Sequence, residues 1–211
     1  MNLQRQMMVA VCACAMTAMC MVAPASAQIY SSDFELTDGA WLGTNDWAWG
    51  APQGVRGSDI GGQGGLEPST GASGDNLWGT VLGGIFSPST VSSLTQTFDL
   101  TGQTNTMLTF NEWIETGDPL FDMAQILVNG TPVYMSDGDS GEAWRTTTVD
   151  LSVFDGEPMV DIEFQLSSTG AVERVGWYID DVSITAVPEP VSFGLLLMGA
   201  LGLMTYRRSK R

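Results

Sequence analysis

The sequence predicts an all-β domain, an antiparallel β-sandwich carried between a leader and an apolar tail. Three observations predict it. Between residues 28 and 186 apolar residues recur at a period of two and almost nowhere at a helical period. Gly- and Asp-rich turns interrupt these runs at short intervals. In the clearest run, Ile162, Phe164 and Leu166 alternate with Asp161, Glu163 and Gln165, the signature of a sheet with one wet face. Short strands in this pattern bury their apolar faces by stacking two sheets.

The first element is not part of that domain. MNLQRQMMVAVCACAMTAMCMVAPASAQ carries one positive charge at Arg5, an apolar core from Met7 to Val22, and the small residues Ala25-Ser26-Ala27. This is the pattern of a secretory signal peptide over residues 1–27, with cleavage expected before Gln28. Cys12, Cys14 and Cys20 all lie inside it, so the mature chain is expected to fold without a disulfide.

The strands then follow in order. VSSLTQTFDL and TMLTFNEWIE read as strands, and QILV-NG-TPVYM as a hairpin whose Asn129-Gly130 pair supplies the positive φ of a two-residue turn. The same pair opens a formal glycosylation sequon with Thr131, which the turn explains more simply. AWRTTTVDL, MVDIEFQL and GWYIDDVSITA complete the set. DGDSGE, Asp137 to Glu142, reads as a hairpin turn, because Glu142 stands where a helix-flanked calcium loop needs glycine. Gly54 to Asn76 holds hardly an apolar residue and reads as a long loop.

Charge removes whole classes of function. Every acid except Glu189 lies between Gln28 and Val187, against only Arg56, Arg145 and Arg174, leaving about −20 there. Such a field repels nucleic acid and anionic membrane surfaces. Without histidine, lysine or cysteine in that stretch, serine triads, thiol nucleophiles, Schiff bases and histidine-zinc sites are excluded. A carboxylate pair remains, as in glycoside hydrolysis, but Glu112 and Glu115 are spaced to face opposite sides of a strand. No enzyme is expected.

The chain closes with VPEPVSFGLLLMGALGLMTYRRSKR. Val191 to Tyr206 is free of charge and as a helix would span ~24 Å. That nearly crosses a membrane, with Arg207, Arg208, Lys210 and Arg211 held on the cytoplasmic side. Pro188 and Pro190 are expected to prevent sheet pairing around Glu189 and leave an extended segment. Val187-Pro188-Glu189-Pro190, an apolar helix and a basic end resemble the PEP-CTERM sorting signal (motif 187–190, transmembrane helix 191–206, basic tail 207–211). The resemblance implies processing by exosortase near Glu189 and a membrane-held intermediate. It also implies delivery to the surface or extracellular matrix of a Gram-negative bacterium.

A second resemblance covers roughly Asp33 to Ile184. DWAWGAP, NLWGTVLGG, SSLTQTFDL, TMLTFNEW and GWYIDDVSI are similar, in order, to the jelly-roll domains beside immune-inhibitor-A-type peptidases. They are also similar to choice-of-anchor domains and, more distantly, MAM domains. This implies a jelly roll over residues 28–186, with a structural or adhesive role beside exopolysaccharide or other surface proteins. It also implies a structural calcium ion tying the first strand to the last, at Asp33 and Glu35 and at Asp180 or Asp181. Hard oxygen ligands without nitrogen or sulfur suit calcium, whereas solvated acids at strand ends would serve no ion. Strand alternation is expected to place Asp33 and Glu35 on one side with Phe34 inward, and Asp180 and Asp181 on opposite faces unless a bulge intervenes.

The alternative function is a carbohydrate-binding module recognising a defined glycan. All seven tryptophans lie in the mature domain. Trp47 and Trp49 share one face of a strand and could stack on a sugar, or, like most tryptophans, could fill the core.

Overall fold

The computed structural model describes residues 26–57, 64–170 and 174–188. The described strands fall in the unit Ala27–Glu189. They are β1 (Ala27–Ser32), β2 (Leu42–Gly43), β3 (Trp47–Gly50), β4 (Leu77–Thr80), β5 (Val91–Phe98) and β6 (Gln103–Glu115). Then come β7 (Met123–Val128), β8 (Thr131–Met135), β9 (Arg145–Asp150), β10 (Val160–Ser167) and β11 (Gly176–Pro188). Two sheets result, one ordered β3-β4-β11-β6-β9 with β1 added against β11, the other β2-β5-β10-β7-β8. Every pairing is antiparallel, and sequence neighbours repeatedly lie in different sheets, as in a jelly roll.

Alternation builds the core. Val160, Ile162, Phe164 and Leu166 of β10 are buried while Asp161 is exposed and Glu163 and Gln165 half-buried. They meet Leu108, Phe110 and Ile114 of β6 and Trp177, Ile179, Val182 and Ile184 of β11 in one apolar cluster. Phe164 is its hub: its ring lies 5.1 Å from Phe110, 5.4 Å from Trp41 and 5.5 Å from Trp177, all edge-on. Edge-to-face contact suits the ring quadrupoles, and burying each such side chain contributes about 1.5–3 kcal/mol.

One carboxylate sits in this interior. Glu112 is fully buried on β6 and accepts hydrogen bonds from Tyr134 Oη at 2.6 Å, Thr147 Oγ1 at 2.7 Å, Trp177 Nε1 at 2.9 Å and Arg145 Nε at 3.0 Å. Four donors from both sheets offset its desolvation, which an unpaired buried charge could not survive.

The hairpin prediction holds. Asn129 and Gly130 have φ of 49° and 76°, as the two-residue turn requires, and join β7 to β8. The long loop also holds in outline. Among the described residues between β3 and β4 there is only an isolated Arg56–Leu66 bridge. It lies over the outer face of the six-stranded sheet, where Val55 packs with Leu77, Tyr178, Trp113 and Trp144, and Trp113 Nε1 donates to Leu66 O at 2.6 Å.

Three expectations are corrected. DGDSGE is not a hairpin turn: it carries the chain from β8 in one sheet to β9 in the other. Ser140 N bonds Ile114 O at 2.8 Å, and Arg145 grips Asp137, so the segment is pinned to β6 instead of folding back on β8. The first strand stops at Ser32, before Asp33; Phe34 reaches the core through a backbone at φ 55° rather than by strand alternation. Pro188 does not prevent pairing. β11 runs on through Val187 opposite Thr104 and Pro188 opposite Gln103, with Thr104 Oγ1 donating to Val187 O at 2.9 Å. At the last rung of a ladder, a missing N–H disrupts nothing beyond it.

Candidate functional site

The wet face of the five-stranded sheet holds a cleft of about 570 Å³, lined by Leu42, Thr95, Thr97, Asn129, Asp161 and Glu163 with Ala40, Gln96 and Gly130 beside them. Strand register assembles it. Leu42 stands opposite Thr95, Thr95 opposite Glu163, and Thr97 opposite Asp161. The β7–β8 turn closes one end: Asp161 N donates to Asn129 Oδ1 at 2.9 Å, and Asn129 N to Asp161 O at 2.9 Å. Leu42, 71% exposed on the edge strand, supplies an apolar wall.

The polar groups are held in place. Thr97 Oγ1 donates to Asp161 Oδ1, and both Ser93 Oγ and Gln165 Nε2 donate to Glu163 Oε1. Gln125 Nε2 in turn donates to Gln165 Oε1 at 2.9 Å. In each carboxylate one oxygen is thus anchored by neighbours. The other, Asp161 Oδ2 or Glu163 Oε2, accepts no hydrogen bond from a described residue. The cleft therefore offers fixed acceptors beside an apolar surface.

The acidic residues named from the sequence sit elsewhere, at a seam in the six-stranded sheet. One edge of β11 pairs with β4 at Tyr178–Ile179 and with β1 from Val182 onward, leaving Asp180 and Asp181 between. A bulge falls there, with Asp181 at φ 50°, and residues 71–76 fill the gap. Asp180 Oδ2 accepts Ser73 N at 3.1 Å, and Asp181 Oδ1 accepts Ser73 Oγ at 2.6 Å. Glu35 Oε1 accepts Asp75 N at 2.9 Å and Asn76 N at 2.8 Å, whereas Asp33 Oδ1 accepts Glu35 N at 3.3 Å. The bulge thus brings both aspartates to one loop, which alternation alone forbids.

Among the described residues no three acidic side chains converge to hold a metal, so Asp33, Glu35, Asp180 and Asp181 do not form one ligand set. An oxygen cradle of a different composition is present. A Cβ on Gly71 would lie 2.5 Å from Ser73 O, 2.8 Å from Asp180 Oδ2 and 3.2 Å from Asn76 O. One carboxylate and two carbonyls are hard donors of the kind calcium takes. Burial pushes the Asp180 carboxyl up to about 7, against the opposing pull of the Ser73 and Asp181 N–H groups.

The two tryptophans named for stacking separate. Trp47 is 5% exposed, its ring 5.9 Å from that of Trp177 and its Nε1 donating to Ser92 O at 3.2 Å. It is a core residue, and its faces are closed to a sugar. Trp49 is 39% exposed and donates Nε1 to Phe34 O at 2.9 Å, on the other sheet from the cleft. Glu112 and Glu115 do face opposite ways: Glu112 lies in the core, and Glu115 meets Glu142 N at 2.7 Å beneath Gly65.

Glu189, Pro190, the apolar run and residues 1–25 lie outside the described residues. Among the described residues no helix is long and apolar enough to cross a membrane.

No protein-family model matches the chain. Bacillopeptidase F of Bacillus subtilis (strain 168) is 28% identical over 174 residues, 78% of this chain but only 11% of that protein's length. Similar solved structures include the K1 cleaved adhesin domain of Lys-gingipain from Porphyromonas gingivalis W83. It is 13% identical, with a TM-score of 0.49 over 76% of this chain and 97% of that domain. The CBM35 module of Paenibacillus barcinonensis is 15% identical, with a TM-score of 0.41 over 77% and 98%.

Proposed function

We propose that this chain is an exported surface protein whose β-sandwich binds glycan without transforming it. The cleft on the five-stranded sheet carries the reading. Hydroxyls of Thr95 and Thr97, the Asn129 amide, the carboxylates of Asp161 and Glu163, and the flank of Leu42 alternate polar and apolar contacts. Sugar rings present the same alternation of hydroxyls and C–H faces, and binding sites of this size orient ligands with a few fixed polar groups. The absence of imidazole, amine and thiol side chains from residues 28–187 supports binding rather than catalysis.

Export rests on the leader, and sorting by exosortase on Val187-Pro188-Glu189-Pro190 with its apolar and basic continuation. A structural calcium ion, held by Asp180 with the carbonyls of Ser73 and Asn76, would close the seam between β1, β4 and β11. The test of glycan binding is an array of polysaccharides probed with the full chain and with the double variant D161N/E163Q. Binding by the first and not the second, at equal melting temperature, is the expected result. A uniformly blank array overturns the reading.

A further inference from the structure

The cleft is one-sided in its chemistry. Asp161 Oδ2 and Glu163 Oε2 are acceptors without a described partner, and among the described residues no arginine or lysine lines the cleft. Arg56 pairs with Glu142 at 2.7 Å and Arg145 with Glu112 and Asp137 at 3.0 and 2.8 Å, and none of these residues lines the cleft. Glu157 stands next to the cleft as well, taking Asn129 Nδ2 at 2.9 Å.

Resting on the glycan-binding reading, we infer that the ligand is an amino-sugar polymer with free, protonated amines. An ammonium group brings three donors and no acceptor, which complements a surplus of anionic acceptors. Hydrogen bonds between ionised partners are the strong ones. Uronate, sulfate or phosphate groups would meet two fixed carboxylates with no cation to relieve them. A cationic peptide shares the charge but not the fit. Thr95, Thr97 and Asn129 stand among the carboxylates and offer neutral partners for ring hydroxyls, and Leu42 offers a flat apolar wall for a ring face.

The placement of the two carboxylates adds to this. Asp161 and Glu163 are two residues apart on β10, so their side chains share a face roughly 7 Å apart along the strand. Two acceptors therefore stand on one face of the cleft.

The test titrates the full chain, purified in mild detergent, with glucosamine, N-acetylglucosamine, glucose and galacturonate hexamers and with hexalysine. The glucosamine hexamer is expected to bind about tenfold or more tightly than its acetylated counterpart, the increment of one charge-assisted hydrogen bond. That preference should shrink as salt rises and vanish in D161N and in E163Q, both isosteric surface changes whose melting should match the parent. Equal affinity for the glucosamine and acetylated hexamers overturns the amine assignment and leaves glycan binding standing. A preference for galacturonate, or hexalysine binding as tightly as glucosamine, overturns it too. Retained preference in both variants removes the cleft as the site, and no binding to any hexamer overturns both readings.

Discussion

Asp180 and Asp181, consecutive on β11, both grip Ser73: one carboxylate takes its backbone N–H at 3.1 Å and the other its hydroxyl at 2.6 Å. Two adjacent strand residues can do this only because the strand bulges between them. The seam between β1 and β4 is thereby closed by side chains rather than by a ladder.

If calcium occupies the Gly71 cradle, chelation lowers the melting temperature. A native-state ligand at 100 times its Kd stabilises by about 2.7 kcal/mol, which is about 5–10 °C for a domain of this size. In D180N the melt should already be low and indifferent to chelator. Calorimetry with and without chelator checks both, and an unchanged parent melt removes the ion.

Trp47→Ala should destabilise by about 3–5 kcal/mol, because it empties a packed aromatic site against Trp177. Trp49→Ala removes one hydrogen bond from a half-exposed ring and should cost about 1 kcal/mol. Neither changes affinity for glycan once folded. Urea melts and a binding titration on both variants measure this. Loss of binding in Trp49→Ala alone would move the site to the other sheet.

Glu115 gives the fold a pH dependence. Burial pushes its carboxyl up to about 7; the Glu142 N–H opposes the rise, and nearby Asp139 adds to it. Between its ordinary range near 4.5 and that value the folded chain holds a proton the unfolded chain has released, so stability falls as pH rises through this window. E115Q should match the parent below pH 4.5 and melt higher above pH 7, by about 2–4 °C for each kcal/mol recovered. The difference between the two curves isolates Glu115 from Asp180, whose carboxyl is also raised by burial. Parallel curves across the window contradict the assignment.

Glu189→Ala tests sorting. The variant should accumulate as an unprocessed, membrane-held chain, whereas the parent reaches the surface; fractionation and blotting distinguish them. Unchanged processing would leave the tail a plain anchor.

Much of the fold was legible because alternation is local. Ile162, Phe164 and Leu166 need no partner to declare a face, and Asn129-Gly130 declares its own turn. The first four strands were harder to read, since β2 and β4 are too short to alternate and Phe34 turns inward through positive φ. The cleft was not legible at all. Asp161 and Glu163 read as solvated acids, and only the register that sets Thr97 and Thr95 opposite them makes a site. The seam failed for a related reason: a bulge overrides the period of two, and sequence alone did not mark one at Asp180–Asp181.

Hydrogen exchange of the full chain with saturating glucosamine hexamer tests the central claim most directly. Binding in the cleft predicts added protection at residues 93–97, 129–131 and 161–165, with residues 47–50 and 77–80 unchanged. Protection confined to the second group, around Trp49, or to neither, would contradict it.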